Sequence, residues 1–163
     1  VAVFGMPLLL LMIHLLGIWA TGLDKRNHNQ SEKVARLVLW LAPAVSLLGN
    51  GATYAAALGQ NFRIDRVVML FMGLFFAIIG NYLPKTVQNR TIGIKIKWTL
   101  EDEANWNATH RLAGKLWTAC GLLLLLTAFL PGSWHVYAAP LLMGIMGLAP
   151  VAYSGRLSRR QKG

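Results

Sequence analysis

The sequence is poor in charged residues and in cysteine, and each shortage excludes a class of protein. Charged residues make up 13% of the 163-residue chain, about half of the roughly 25% that is typical of a soluble domain. The only cysteine, Cys120, cannot form an internal disulfide, and no Cys/His spacing typical of a metal site is present. We therefore predict no metal, and nothing in the sequence points to a cofactor.

Apolar residues take the place of the missing charges. They make up 55% of the chain, and the mean hydropathy of +0.48 is more than a soluble core of this size could bury. A membrane-spanning helix needs about 20 mostly apolar residues, and none of the six acids lies in the five apolar segments. The segments lack the alternation of a barrel strand, which favours helices. We predict a single all-α transmembrane domain over residues 1–163, with about five spans: 2–23, 37–59, 67–83, 112–130 and 134–153.

The basic residues predict how this bundle is oriented in the membrane. Fourteen of the sixteen Lys and Arg fall in segments 24–36 and 84–115 or in the tail after residue 155. The positive-inside rule then places both long loops and the C-terminus in the cytoplasm. The same rule explains the net charge of +10 without a nucleic-acid partner. The chain starts at Val1, and we expect its native N-terminus to be missing.

Asn50 and His14 are two of the polar residues that lie within the predicted spans. Asn50 falls near the membrane centre of the second span, where an amide needs a partner. It either joins neighbouring helices, which we favour, or contacts a substrate or partner. His14 lies alone in the first span, and a hydrogen bond to a neighbour is a better interpretation than a metal ligand.

Segment 81–117, called the signature segment below, carries most of the polar and aromatic chemistry. Pro84 should end the third span near Asn81, at the cytoplasmic face. Isoleucines then alternate with glycine and lysine over residues 92–97, which predicts either a strand or an extended segment on the membrane surface. We favour the extended segment.

A helix should follow, running from Leu100 into the fourth span. Thr99 is its expected N-cap, and the acids 101–103 fill the first turn, where carboxylates complement the helix dipole. The acids need no catalytic role, because no second polar cluster stands opposite them. Trp106 and His110 begin a face of the helix that we expect to point inward, while Asn105 falls elsewhere. His110 is more plausibly a hydrogen-bonded anchor than a proton shuttle.

The signature segment contains a spaced set of motifs: Asn81, Leu83-Pro84-Lys85, Asn89, Gly93-Ile94, Trp98-Thr99-Leu100, Trp106, Thr109-His110-Arg111 and Gly114. Their spacing resembles that of the SdpI family of bacterial multi-pass immunity proteins. The resemblance covers about a quarter of the chain. Two positions depart from the family pattern: Lys95 replaces an arginine, and Lys97 stands where a proline is common. The residues that carry the resemblance, and that it marks as structural or recognition residues, are Asn81, Pro84, Lys85, Asn89, Gly93, Lys95, Trp98, Thr99, Trp106, Thr109, His110, Arg111 and Gly114.

The resemblance implies a protein of the bacterial plasma membrane that protects against a secreted, membrane-active peptide toxin. It also implies that such a protein could hold a cytoplasmic transcriptional repressor at the membrane. Neither role is enzymatic, so we predict no catalytic residues, and we expect membrane lipid, a peptide toxin and a repressor as partners. The alternative is a small membrane transporter or membrane enzyme, for which His14, Asn50 and Asn81 would be the only support.

Overall fold

The computed structural model describes residues 2–23, 32–60, 63–131 and 133–162. Every regular element within these ranges is helical, so the predicted all-α class is confirmed. The chain divides into two compact units, Val1–Phe62 and Arg63–Gly163. The α-helices are α1 (Ala2–Leu23) and α2 (Glu32–Ala57) in the first unit, and α3 (Ile64–Tyr82), α4 (Lys97–Glu101), α5 (Glu103–Thr127) and α6 (Ser133–Lys162) in the second.

Each of the five long helices in the described ranges overlaps one of the five apolar segments of the sequence. Among the described residues, two helices are long and apolar enough by length and composition to cross a membrane, Ile64–Lys85 and Trp134–Arg160. A shorter apolar helix covers Pro7–Ala20. The chain thus has helices suited to a membrane, and the number of five spans stays a prediction.

In the first unit, α1 packs against α2. A cavity of about 270 Å³ is lined by His14, by Ser46 and by proline and aliphatic side chains of both helices. The Asn50 amide donates to the Ser46 carbonyl at 2.8 Å and lies 3.0 Å from the Ser46 hydroxyl. These two partners lie on the same helix as Asn50, whereas the sequence had favoured a bond between helices. An amide can find acceptors one turn back on its own helix.

In the second unit, α5 packs against both α3 and α6. The contact with α3 is close because glycines face each other across it. A Cβ on Gly80 would come within 2.4 Å of the Thr118 backbone nitrogen, and one on Gly121 within 2.5 Å of the Ala77 nitrogen. Small residues of this kind let helix backbones approach closely in membrane proteins.

Trp117 joins α5 to both of its neighbours. Its ring meets Phe76 of α3 edge to face at 5.5 Å, and its indole nitrogen donates to the Met146 carbonyl of α6 at 2.9 Å. One turn away, the buried side chains of Cys120, Leu124 and Met146 form an apolar cluster. These contacts fix α5 against α3 and α6, and the signature segment joins the end of α3 to α5 at one end of the second unit.

Candidate functional site

The signature segment leaves α3 through a short 3-10 turn, Leu83–Lys85, and crosses to α5 by a loop and α4. The expected helix start at Thr99 is wrong. α5 begins at Glu103, and the Asp102 carboxylate caps it by accepting from the backbone N–H groups of Ala104 and Asn105. The Thr99 hydroxyl is already engaged, since it accepts from the Ile96 N–H and lies 2.8 Å from the Ile94 carbonyl.

Asn89 folds the loop between α3 and α4. Its side chain is fully buried. The side-chain oxygen accepts from the backbone N–H groups of Thr91 and Ile92, and its amide nitrogen donates to the carbonyls of Val87 and Ile92. One side chain thus replaces the backbone pairing that a strand would have supplied, and the described residues contain no strand here.

Trp106 and His110, both on α5, form the centre of the segment. Their rings stack with centroids 4.0 Å apart, and both are almost fully buried. The Trp106 indole nitrogen donates to the Thr86 carbonyl at 2.9 Å. Together these contacts attach the loop after α3 to the first turns of α5.

Both ring nitrogens of His110 are used by the backbone. Nδ1 lies 2.9 Å from the Trp106 carbonyl, which can only accept, and Nε2 accepts from the Ile94 N–H at 2.9 Å. This pair of partners requires the neutral tautomer with the proton on Nδ1. Burial lowers the pKa of His110, against a smaller opposing effect of the Trp106 carbonyl. A ring held in this way has no nitrogen left for a metal or for proton transfer.

Gly93 lets the loop pass over these two rings. Its φ of 110° lies in a region that other residues rarely adopt. A Cβ there would come within 2.5 Å of His110 Nε2 and within 3.1 Å of the Trp106 ring. Only glycine therefore fits both the backbone conformation and the space, which explains its place in the signature.

A second buried cluster, the polar bridge of Asn105, Thr109 and Ser154, attaches α5 to α6. The Asn105 amide donates to the Ser154 carbonyl at 3.0 Å, and its oxygen accepts from the hydroxyls of Ser154 at 2.5 Å and Thr109 at 3.0 Å. All three residues are at most 1% exposed. This bridge gives Thr109 a structural role.

The expectation that Asn105 lies away from the buried face is wrong. α5 is covered on two sides, by the loop and by α6, so its buried face is wider than the Trp106–His110 line suggests. Ser154 was missed as well. The one signal in the sequence was the spacing of Asn105 and Thr109, which are one helical turn apart; nothing marks Ser154.

The other signature residues fall into two groups. Trp98 packs on Gly155 of α6, where an added Cβ would meet its ring at 3.0 Å, and Gly114 is covered by Pro84 and the Gly80 carbonyl. The side chains of the remaining group are exposed. One of them, Lys85, places its Nζ 4.7 Å from the centroid of the Tyr82 ring. The exposed members are Asn81, Pro84, Lys85, Lys95 and Arg111.

The buried polar side chains of the signature segment form a scaffold, since they bond to loop carbonyls, to N–H groups or to each other. Within the ranges that the structure describes, no three His, Cys, Asp or Glu side chains come together as metal ligands. The residues that reach the surface at this end include the basic side chains of Lys85, Lys95 and Arg111.

Comparison with known proteins matches the same region. Residues 85–154 match the model of the SdpI/YfhL protein family. The chain is also 33% identical over 85 residues to Immunity protein SdpI of Bacillus subtilis (strain 168). That alignment covers 52% of this chain and 41% of the relative, so the chain spans less than half of the relative's length. No solved structure matches the chain.

The fold and the site define an all-helical protein with helices suited to a membrane and a closed, polar signature segment at one end of its second unit. The predicted resemblance is confirmed over residues 85–154, which match the model of the SdpI/YfhL family.

Proposed function

We propose that this protein is a bacterial membrane immunity protein that protects its cell against a secreted, membrane-active peptide toxin. The observation that carries the proposal is the 33% identity to Immunity protein SdpI, over a stretch as long as half of this chain. The buried contacts of the signature segment support a protective role in which this segment keeps one fixed conformation. Protection in this proposal involves no catalysis.

The proposed topology places the signature segment and the C-terminus in the cytoplasm. It rests on the distribution of Lys and Arg, of which fourteen of sixteen fall on one side of five spans. Tagging the C-terminus with an enzyme that is active only in the cytoplasm, and repeating this with a tag in loop 24–36, tests the topology. Absence of activity from either tag, with the fusion protein present in the membrane, would contradict it.

Survival under toxin challenge tests the function. The protein is expressed from its own gene in a Bacillus subtilis strain 168 derivative that lacks Immunity protein SdpI, and the cells are exposed to peptide toxins secreted by that species and by the protein's own host. We expect survival above that of cells with an empty vector. No protection against any of these toxins, with the protein present in the membrane, would overturn the proposal.

A matched pair of variants separates loss of the scaffold from a general effect of losing an aromatic side chain. Trp106→Ala removes a fully buried indole from the signature, while Trp134→Ala removes one that is 57% exposed in the same unit. We expect protection to be lost with Trp106→Ala and kept with Trp134→Ala. Membrane abundance is measured for both, so that survival is compared per folded molecule.

A second candidate function is that of a receptor that holds a cytoplasmic repressor protein. The observation in its favour is that Lys85, Lys95 and Arg111 are exposed at the signature end, where basic side chains can meet an acidic partner. Recovery of the partner from membranes is compared between wild type and the Lys95→Glu/Arg111→Glu variant. Equal recovery from both would count against this function, whereas the immunity proposal does not depend on it.

A further inference from the structure

The opposite end of the second unit contains a buried histidine with one unsatisfied nitrogen. His135, in the first turn of α6, is 7% exposed. Its Nε2 lies 2.7 Å from the Thr127 carbonyl at the end of α5 and therefore carries the proton. Its Nδ1 has no hydrogen-bond partner among the described residues. A buried polar atom left in this way costs free energy and calls for an explanation.

The nearest charged group faces this nitrogen. The Asp65 carboxylate, in the first turn of α3, lies 3.5 Å from His135 Nδ1. Neutral His135 presents a lone pair to this carboxylate, and two acceptors cannot bond to each other. A protonated ring would present an N–H to the same oxygen and would form a charge-assisted bond.

Arg63 competes for the same carboxylate. Its guanidinium lies 2.7 Å from the Asp65 oxygen that faces His135, and a second guanidinium nitrogen lies 3.3 Å from the other oxygen. Arg66 is exposed on the first turn of α3, and α5 provides the Thr127 carbonyl as a hydrogen-bond partner of the His135 ring. Among the described residues, the charged groups at this contact are one carboxylate and the arginine that shares it.

We propose that His135 and Asp65 form a pH-sensitive latch that ties the first turn of α6 to the first turn of α3 when the imidazole is protonated. Histidine is the side chain that ordinarily changes charge between about pH 5 and 8. In the neutral state the His135 ring bonds to α5, through the Thr127 carbonyl. In the protonated state the same ring bonds to α5 and α3 at once, so acid tightens this end of the unit.

The bond from the protonated ring to Asp65 exists only in the folded state, so the stabilisation that the latch gives is present when the ring is protonated and absent when the ring is neutral. Under the topology proposed above, this end faces the outside of the cell, and the latch would respond to external acid. The latch itself is defined by the contact and does not require that topology.

Thermal unfolding of the full chain in detergent micelles at pH 5.5 and pH 8 tests the latch. His135→Gln keeps an N–H donor for the Thr127 carbonyl and cannot titrate, so it is the matched control. We expect acid to raise the Tm of wild type by roughly 2–5 °C relative to this variant, which corresponds to an ion pair at a partly exposed site. Equal pH dependence of the two Tm values would overturn the proposal.

Two further variants test the partners. Asp65→Asn should remove the acid-dependent gain, and Arg63→Gln should enlarge it, because the carboxylate is then left to His135. A gain that persists in Asp65→Asn would contradict the latch.

A direct readout covers the case in which a variant fails to fold. The ¹⁵N signal of His135 Nδ1 in the wild-type protein should change from that of an acceptor to that of an N–H on acidification. This measurement is independent of immunity, so it can fail while the proposed function stands. An Nδ1 signal that stays that of an acceptor down to pH 5 would overturn the latch.

Discussion

Each end of the second unit contains a buried histidine, and the two rings differ in their hydrogen bonds. At the signature end, His110 has a backbone partner for each ring nitrogen, at 2.9 Å in both cases. At the other end, His135 has a hydrogen-bond partner for Nε2 only, and the Asp65 carboxylate lies 3.5 Å from Nδ1. Burial and residue type are the same, so the difference lies in the groups around each ring.

This difference separates a fixed structure from an adjustable one. His110 is stable only as the neutral ring, since protonation would turn the Nε2 acceptor into a donor that faces the Ile94 N–H. His135 gains a bond on protonation. The signature end is therefore a closed framework for the loop it carries, and the opposite end can change its bonding with pH.

The strongest test of the closed framework removes its largest buried side chain. Trp106→Ala should lower the free energy of unfolding by about 3–5 kcal/mol, the range for large aromatic truncations in a core, because the indole also holds the Thr86 carbonyl. Chemical denaturation in micelles, with Trp134→Ala as the exposed control, measures this loss. Equal losses in the two variants would show that the signature end is not tightly packed.

A smaller loss is expected from the polar bridge. Asn105→Ala leaves the Ser154 and Thr109 hydroxyls without their common acceptor and should cost roughly 1–3 kcal/mol. Asn107→Ala, an exposed asparagine on the same helix, should change stability by no more than about 0.5 kcal/mol. The same denaturation experiment compares the two variants. An Asn105→Ala variant as stable as Asn107→Ala would show that the polar bridge does not stabilise the fold.

The smallest effect is expected from pH acting on His110. Because burial lowers its pKa in the folded state, the unfolded chain binds the proton more readily, and stability is lost as pH falls below the ordinary histidine value of about 6.5. His110→Phe keeps a ring over Trp106 but cannot titrate, so its Tm should lack this acid-dependent loss. A wild-type Tm that falls no more than that of His110→Phe between pH 7 and pH 5 would contradict the assignment.

Much of the fold followed from hydropathy, and much of the site did not. The five long helices were visible as apolar runs, because a helix suited to a membrane imposes its length on the sequence. The start of α5 was not, since Thr99 and Asp102 are both good caps and only the Ile96 and Ile94 contacts of Thr99 decide between them. Ser154 could not have been found from the sequence, because its partner Asn105 lies 49 residues away.

The Thr109 and His110 positions show what a family signature adds. Helix formation does not require either residue, and the sequence alone gave no reason for them. Their partners, Asn105 in one case and the Ile94 N–H in the other, come from tertiary contacts that a local pattern does not contain. The signature therefore records the contacts of a folded loop, and these contacts cannot be read from a local pattern in the chain.

His110 is a structural anchor whose two ring nitrogens both have hydrogen-bond partners. The ¹⁵N spectrum of the ring at pH 7 tests whether both partners are present. We expect a neutral ring with the proton on Nδ1 and with Nε2 as a hydrogen-bonded acceptor. A proton on Nε2, or an imidazolium at this pH, would break the Ile94 contact and contradict the account.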